Sequence, residues 1–184
     1  MNSKDVESIL NELHQTFDVM NYSSIDEVIE KIKFARRIVC AGVGREGLTC
    51  RAFCMRLMHL GYSSHWIWDD TAPSISKGDV FFFTCGSGEI EHLLTVARLA
   101  KESGATLICV TGVPDSSAAK LSDLTIFIPA SVYKGKGDLV PTIHPMGTLW
   151  ETASWIFLDS VIYAIHSSES ITYEDMSYRH RNYE

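Results

Sequence analysis

Apolar residues fall first at helical and then at strand spacing along the chain. Val6, Ile9, Leu10, Leu13 and Phe17 recur every three or four positions and predict one apolar helical stripe over residues 3–20. Ser24 followed by Glu27 has capping-box spacing and predicts a second, short helix through Val28 and Ile32. From there, short and almost wholly apolar runs alternate with amphipathic stretches. Residues 37–41, 64–68, 79–84, 106–110 and 124–128 read as strands, with helices over 46–60 and 89–103. Strands that are apolar at nearly every position are buried on both faces. The expected fold class is therefore α/β, a three-layer sandwich with a five-stranded parallel sheet flanked by helices. The stretch 69–78 is short for a helical crossover and is the weakest link of this topology.

Residues 129–145 are rich in Gly, Pro and Lys and predict a loop. A long helix over 146–166 follows, carrying Leu149, Trp150, Ala153, Ile156, Phe157, Val161, Ala164 and Ile165. Its apolar residues occupy more than one face, so the sheet and first helix, or another subunit, must cover it. A last short helix is capped around Thr172. The 184 residues fit a single domain: amino-terminal helices over 1–34, a parallel core over 35–130 and carboxyl-terminal helices over 146–184.

A formal net charge of −7 argues against a broad nucleic-acid surface, though a locally positive pocket for an anion remains compatible with it. No apolar run approaches the roughly 20 residues that span a bilayer. The polar, acidic start over residues 1–9 is unlike a signal peptide, so no membrane association is expected. Cys40, Cys50, Cys54, Cys85 and Cys109 form an odd set without a C-x-x-C pair, mostly inside apolar stretches. They read as reduced, buried thiols of a cytoplasmic protein. The seven histidines are scattered, and no cluster has metal-ligand spacing.

Two glycine loops follow predicted strands. Gly42-Val-Gly-Arg-Glu-Gly47 is a literal G-x-G-x-x-G opening a helix, with Asp69 and Asp70 ending the next strand. That arrangement also suits a dinucleotide, with glycines at the pyrophosphate and an acid on the ribose. Thr84-Cys-Gly-Ser-Gly-Glu89 is the second loop, where helix-terminal N–H groups and the Ser87 hydroxyl attract anions. With Thr111-Gly112 at a third strand end, the pair fits a sugar-sized crevice better than a dinucleotide site, which needs only the first loop.

These loops, with Met55-Arg-Leu-Met-His-Leu-Gly-Tyr62, Asp115-Ser-Ser117, Pro145-Met-Gly-Thr-Leu-Trp-Glu151 and Arg179-His180, resemble the sugar isomerase (SIS) domain family, in particular its 6-phospho-3-hexuloisomerase branch. The resemblance spans nearly the whole chain. It implies a flavodoxin-like, Rossmann-type sheet, an aldose–ketose isomerase, a sugar or sugar phosphate as ligand, a homotetramer and no cofactor. On this footing Gly42, Gly44, Arg45, Glu46, Arg51, Cys85, Gly86, Ser87, Gly88, Glu89 and Ile90 are the expected substrate-binding residues. The chain also departs from the family's phosphate pocket. Glu46 stands where a Ser is expected, Cys85 replaces a Ser and Ile90 a Thr, so only Ser87 keeps its hydroxyl. A carboxylate repels a phosphate dianion, and the far end of the substrate is expected to be unphosphorylated, amino-bearing or otherwise modified.

Moving a proton between adjacent carbons needs a base at the substrate and donors for the enediolate oxygen. Glu151 is the candidate base: it and Asp159 are the only acids over 146–166, and burial there is expected to raise its pKa. The resemblance implies that the segment bearing His180 reaches a neighbouring subunit's pocket, where it would open the ring or shuttle the proton. His59, in the Met-rich helix, is the second candidate for that work. Two other classes stay open. A sugar-binding regulatory module would bind without exchanging substrate protons, and a dinucleotide oxidoreductase would change nicotinamide fluorescence on mixing.

Overall fold

The computed structural model describes residues 3–133 and 139–183. Among them, α1 (Ser3–Asp18) and α2 (Ile25–Lys33) lead into β1 (Ile38–Ala41), α3 (Gly44–Leu60) and β2 (Ser64–Trp66). Then come β3 (Val80–Thr84), α4 (Glu91–Glu102), β4 (Thr106–Thr111), α5 (Ser117–Leu121), β5 (Leu124–Phe127), α6 (Thr148–Ser168) and α7 (Tyr173–Arg179). All strand pairs are parallel, in the order β2-β1-β3-β4-β5. The predicted α/β class is the one observed.

Every residue of β1 and β3 is buried, as their unbroken apolar runs require. The two-residue period of the strand sends Val80 and Phe82 to one face, with α1, α2, α3 and α6. Phe81 and Phe83 go to the other face, with α4 and α5. α6 packs on α3, α1 and α2, which covers most of its apolar surface but leaves Trp155, Ile156 and Tyr163 exposed.

The doubtful link after β2 contains no helix and still passes β1 to reach β3. It is pinned by Asp79, whose buried carboxylate accepts from Arg36 Nε at 3.0 Å, Arg36 Nη2 at 2.8 Å and the Ser76 N–H at 2.9 Å. The Arg36 N–H in turn donates to the Gly78 carbonyl at 2.8 Å. Removing these charge-assisted bonds in Asp79→Ala should cost about 2 kcal/mol in urea denaturation, because the link has no helix to hold it.

The two expected helix caps turn out differently. Ser24 precedes α2 but makes no side-chain cap, since its own backbone is helical rather than extended. Thr172 does close a capping box, with Asp175. The five-residue α5 lies between two predicted strands, in a stretch to which the sequence reading assigned no element. Of the predicted loop over 129–145, residues 134–138 lie outside the described residues; its described flanks meet only in a bridge between Ala130 and Val140. Buried Glu12 of α1 holds the second flank, accepting from Thr142 Oγ1 at 2.7 Å and the Ile143 N–H at 2.9 Å. That anchor fixes where the chain enters α6.

Candidate functional site

Both glycine loops lie at the carboxyl edge of the sheet, as parallel strand order demands. At Gly42 a Cβ would fall 2.5 Å from Thr84 Oγ1 and 2.8 Å from the Gly47 Cα, so β1, β3 and α3 converge only because both positions are glycine. At Gly88, with φ of +69°, a Cβ would fall 2.0 Å from Ser116 Oγ, seating the second loop against the turn before α5. The third strand end closes the frame: Thr111 Oγ1 and the Gly112 N–H both donate to the Gly86 carbonyl, at 3.1 and 2.9 Å.

α6 begins beside these loops. Met146 and Gly147 both adopt positive φ, 61° and 80°, turning the chain sharply into the helix. Trp150 and Glu151 are thereby aimed at the second loop. The resulting cavity, about 380 Å³, is lined by Glu46, Gly86, Ser87, Glu89, Ile90, Trp150 and Glu151 among others. Its size suits a monosaccharide.

Two carboxyl groups dominate it. Glu151 Oε2 accepts from Arg45 Nε at 2.5 Å; the Glu151 side chain is 18% exposed and that of Arg45 67%. Glu46 Oε2 accepts from the Gly86 N–H at 2.5 Å. Burial pushes the Glu46 carboxyl up to about 7, helped by the negative charge of Glu151 and opposed by the Gly86 bond. The acid with a strongly raised proton affinity is thus Glu46, the residue that departs from the family pattern. At the opposite rim, Glu89 accepts from the Ser117 N–H at 2.8 Å, which lowers its pKa.

The remaining expected residues divide. Gly42, Gly44 and Arg45 form the first loop beside the cavity, and Gly86, Ser87 and Ile90 line it. Cys85 contributes no donor: its thiol is buried and pushed up to about 11, and its N–H donates to the Val110 carbonyl at 2.9 Å. Arg51 points elsewhere, bonding Asp69 at 3.3 Å beside a separate, smaller hollow. His59 is buried at the other end of α3, roughly 20 Å from Glu46 at 1.5 Å rise per residue. There it stacks on His180, with ring centroids 5.2 Å apart. One chain therefore does not bring these histidines to Glu151. Sequence reasoning missed Trp150, Tyr133 and Met146 as lining residues; the Pro-Met-Gly-Thr-Leu-Trp-Glu block, ending at Glu151, was the signal for two of them.

Comparison with known proteins agrees with the fold. A family model described as the SIS domain matches residues 31–149. The chain is 34% identical to a 3-hexulose-6-phosphate isomerase of Bacillus subtilis, covering 97% of each chain. To a 3-hexulose-6-phosphate isomerase of Methanocaldococcus jannaschii it is 37% identical, covering 87% of this chain and 84% of the relative. A solved Methanococcus jannaschii structure, described as inferring 3-hexulose-6-phosphate isomerase function, superposes with a TM-score of 0.85. It is 31% identical and is covered over 98% of this chain and 99% of that one.

Proposed function

The chain belongs to the SIS domain family, and we propose that within it the protein is an aldose–ketose isomerase with Glu151 as its base. The observation that carries this reading is the Glu151 carboxylate at a sugar-sized cavity, oriented by Arg45 and framed by three strand ends.

In this reading, Glu151 takes the proton from the carbon beside the substrate carbonyl. The C–H electron pair becomes the C=C bond of the enediolate, and the carbonyl π pair moves onto oxygen. The Ser87 hydroxyl, which lines the cavity, is a donor for that oxygen. Glu151 returns the proton to the neighbouring carbon, and a second proton passes between the two oxygens. We assign that oxygen-to-oxygen transfer, and ring opening, to His180 with His59. In this reading the exposed His180 reaches a neighbouring subunit's cavity, in the homotetramer that the family resemblance implies, while buried His59 stacks against it from within its own chain. Five free, buried cysteines suit a cytoplasmic setting. The dinucleotide reading loses support, because Glu46 puts a carboxyl on the first turn of α3, where a pyrophosphate would lie.

The test is isomerisation in D₂O. Incorporation of solvent deuterium at the transferred carbon of the product is expected. A sugar that binds without any exchange would instead identify a regulatory binding module.

A further inference from the structure

Four backbone donors of the second glycine loop are bonded within the protein, and the one that faces the cavity acid is the Gly86 N–H. The Cys85 N–H donates to the Val110 carbonyl, the Gly86 N–H to Glu46 Oε2, the Gly88 N–H to the Cys85 carbonyl and the Glu89 N–H to Ser87 Oγ. Helix-terminal N–H groups of this kind make an anion site when they are unclaimed. Here the Glu46 carboxyl takes the place of an external anion. It is wedged tightly: a Cβ on Gly86 would sit 2.9 Å from Glu46 Oε2 and 3.3 Å from the Trp150 ring. Charge points the same way. Glu46, Glu89 and Glu151 all line the cavity, no described lining residue is basic, and the nearby Arg45 is bonded to Glu151. A phosphate dianion would have to displace one carboxylate and lie beside two more.

We propose that Glu46 is a specificity determinant that closes the second loop to phosphate, so that the substrate presents a hydrogen-bond-donating hydroxyl or ammonium group at that end. This rests on the isomerase reading for the reaction but not for the binding preference. The carboxylate lone pairs of Glu89 and the carboxyl oxygens of Glu46 are acceptors, and they match a donor-bearing sugar as the N–H groups of an open loop would match a phosphate.

The experiment compares wild type with Glu46→Ser and the near-isosteric Glu46→Gln. Two readouts are used: deuterium exchange into D-fructose, D-glucosamine and their 6-phosphates, and calorimetric titration with inorganic phosphate. Wild type should exchange free or amino sugar at least about 10-fold better, by kcat/KM, than the phosphorylated counterpart, and should bind no phosphate at millimolar concentration. Glu46→Ser should gain at least about 10-fold toward the phosphorylated sugar and acquire phosphate binding; Glu46→Gln should show a smaller gain, through charge alone. A phosphorylated sugar preferred by wild type, or phosphate bound equally by wild type and both variants, overturns the proposal. If wild type exchanges neither kind of sugar, it is the isomerase reading that falls, and the phosphate titration still decides the role of Glu46.

Discussion

Glu151→Gln should lower the isomerisation rate at least about 100-fold while leaving the fold intact, the size expected when a positioned general base is removed. The substitution keeps the shape of the side chain and its place on the first turn of α6, but the amide has no basic lone pair for a C–H proton. The bond from Arg45 can persist to the amide oxygen, and Arg45 is well exposed, so its charge stays solvated if the bond weakens. Unfolding free energy should therefore change by less than about 1 kcal/mol. The loss should fall on kcat, with KM little altered, because the proton transfer belongs to the transition state. Deuterium exchange should fall in parallel with turnover. If the variant keeps wild-type exchange, the base lies elsewhere; if it unfolds, Glu151 is a structural anchor of α6.

The sheet was legible because a parallel strand buried on both faces leaves an unbroken apolar run, and β1 and β3 are such runs. The two glycine loops were legible for a related reason, since close convergence of strand and helix admits no side chain at Gly42 or Gly47. Other features depend on information that spacing does not carry. Ser24 and Glu27 have the right separation for a capping box, but the backbone angle at Ser24 decides whether the hydroxyl can reach, and it does not. Arg51 follows Glu46 by five residues, which on a helix is about 140° around the axis, and so it leaves the cavity face. His59 lies on the same helix but nearly its full length away. The raised proton affinity of Glu46 was not legible, because its carboxyl is enclosed at Gly86, 40 positions away in sequence, where the Trp150 ring also packs.

That enclosure has a thermodynamic signature. In the unfolded chain Glu46 ionises near its ordinary value of 4.5, whereas in the folded protein it holds its proton up to about 7. Between those values the folded state binds more protons, so stability falls as pH rises through that window and levels off above it. A rise of this size corresponds to about 3 kcal/mol, the upper bound if no relaxation opens the site at high pH. Glu46→Gln has no such proton to lose. Its unfolding free energy, relative to wild type, should therefore grow by about 2–3 kcal/mol between pH 4.5 and pH 8, measured by urea denaturation across that range. Glu89 and Asp175, whose pKa values are lowered, titrate below the window and cancel in the comparison. Because the charge of Glu151 is the lesser of the two causes raising the Glu46 pKa, repeating the series in Glu151→Gln should narrow the difference without abolishing it. Parallel pH curves for wild type and Glu46→Gln would mean that the carboxyl ionises as it does in water, and that Gly86 and Trp150 do not enclose it.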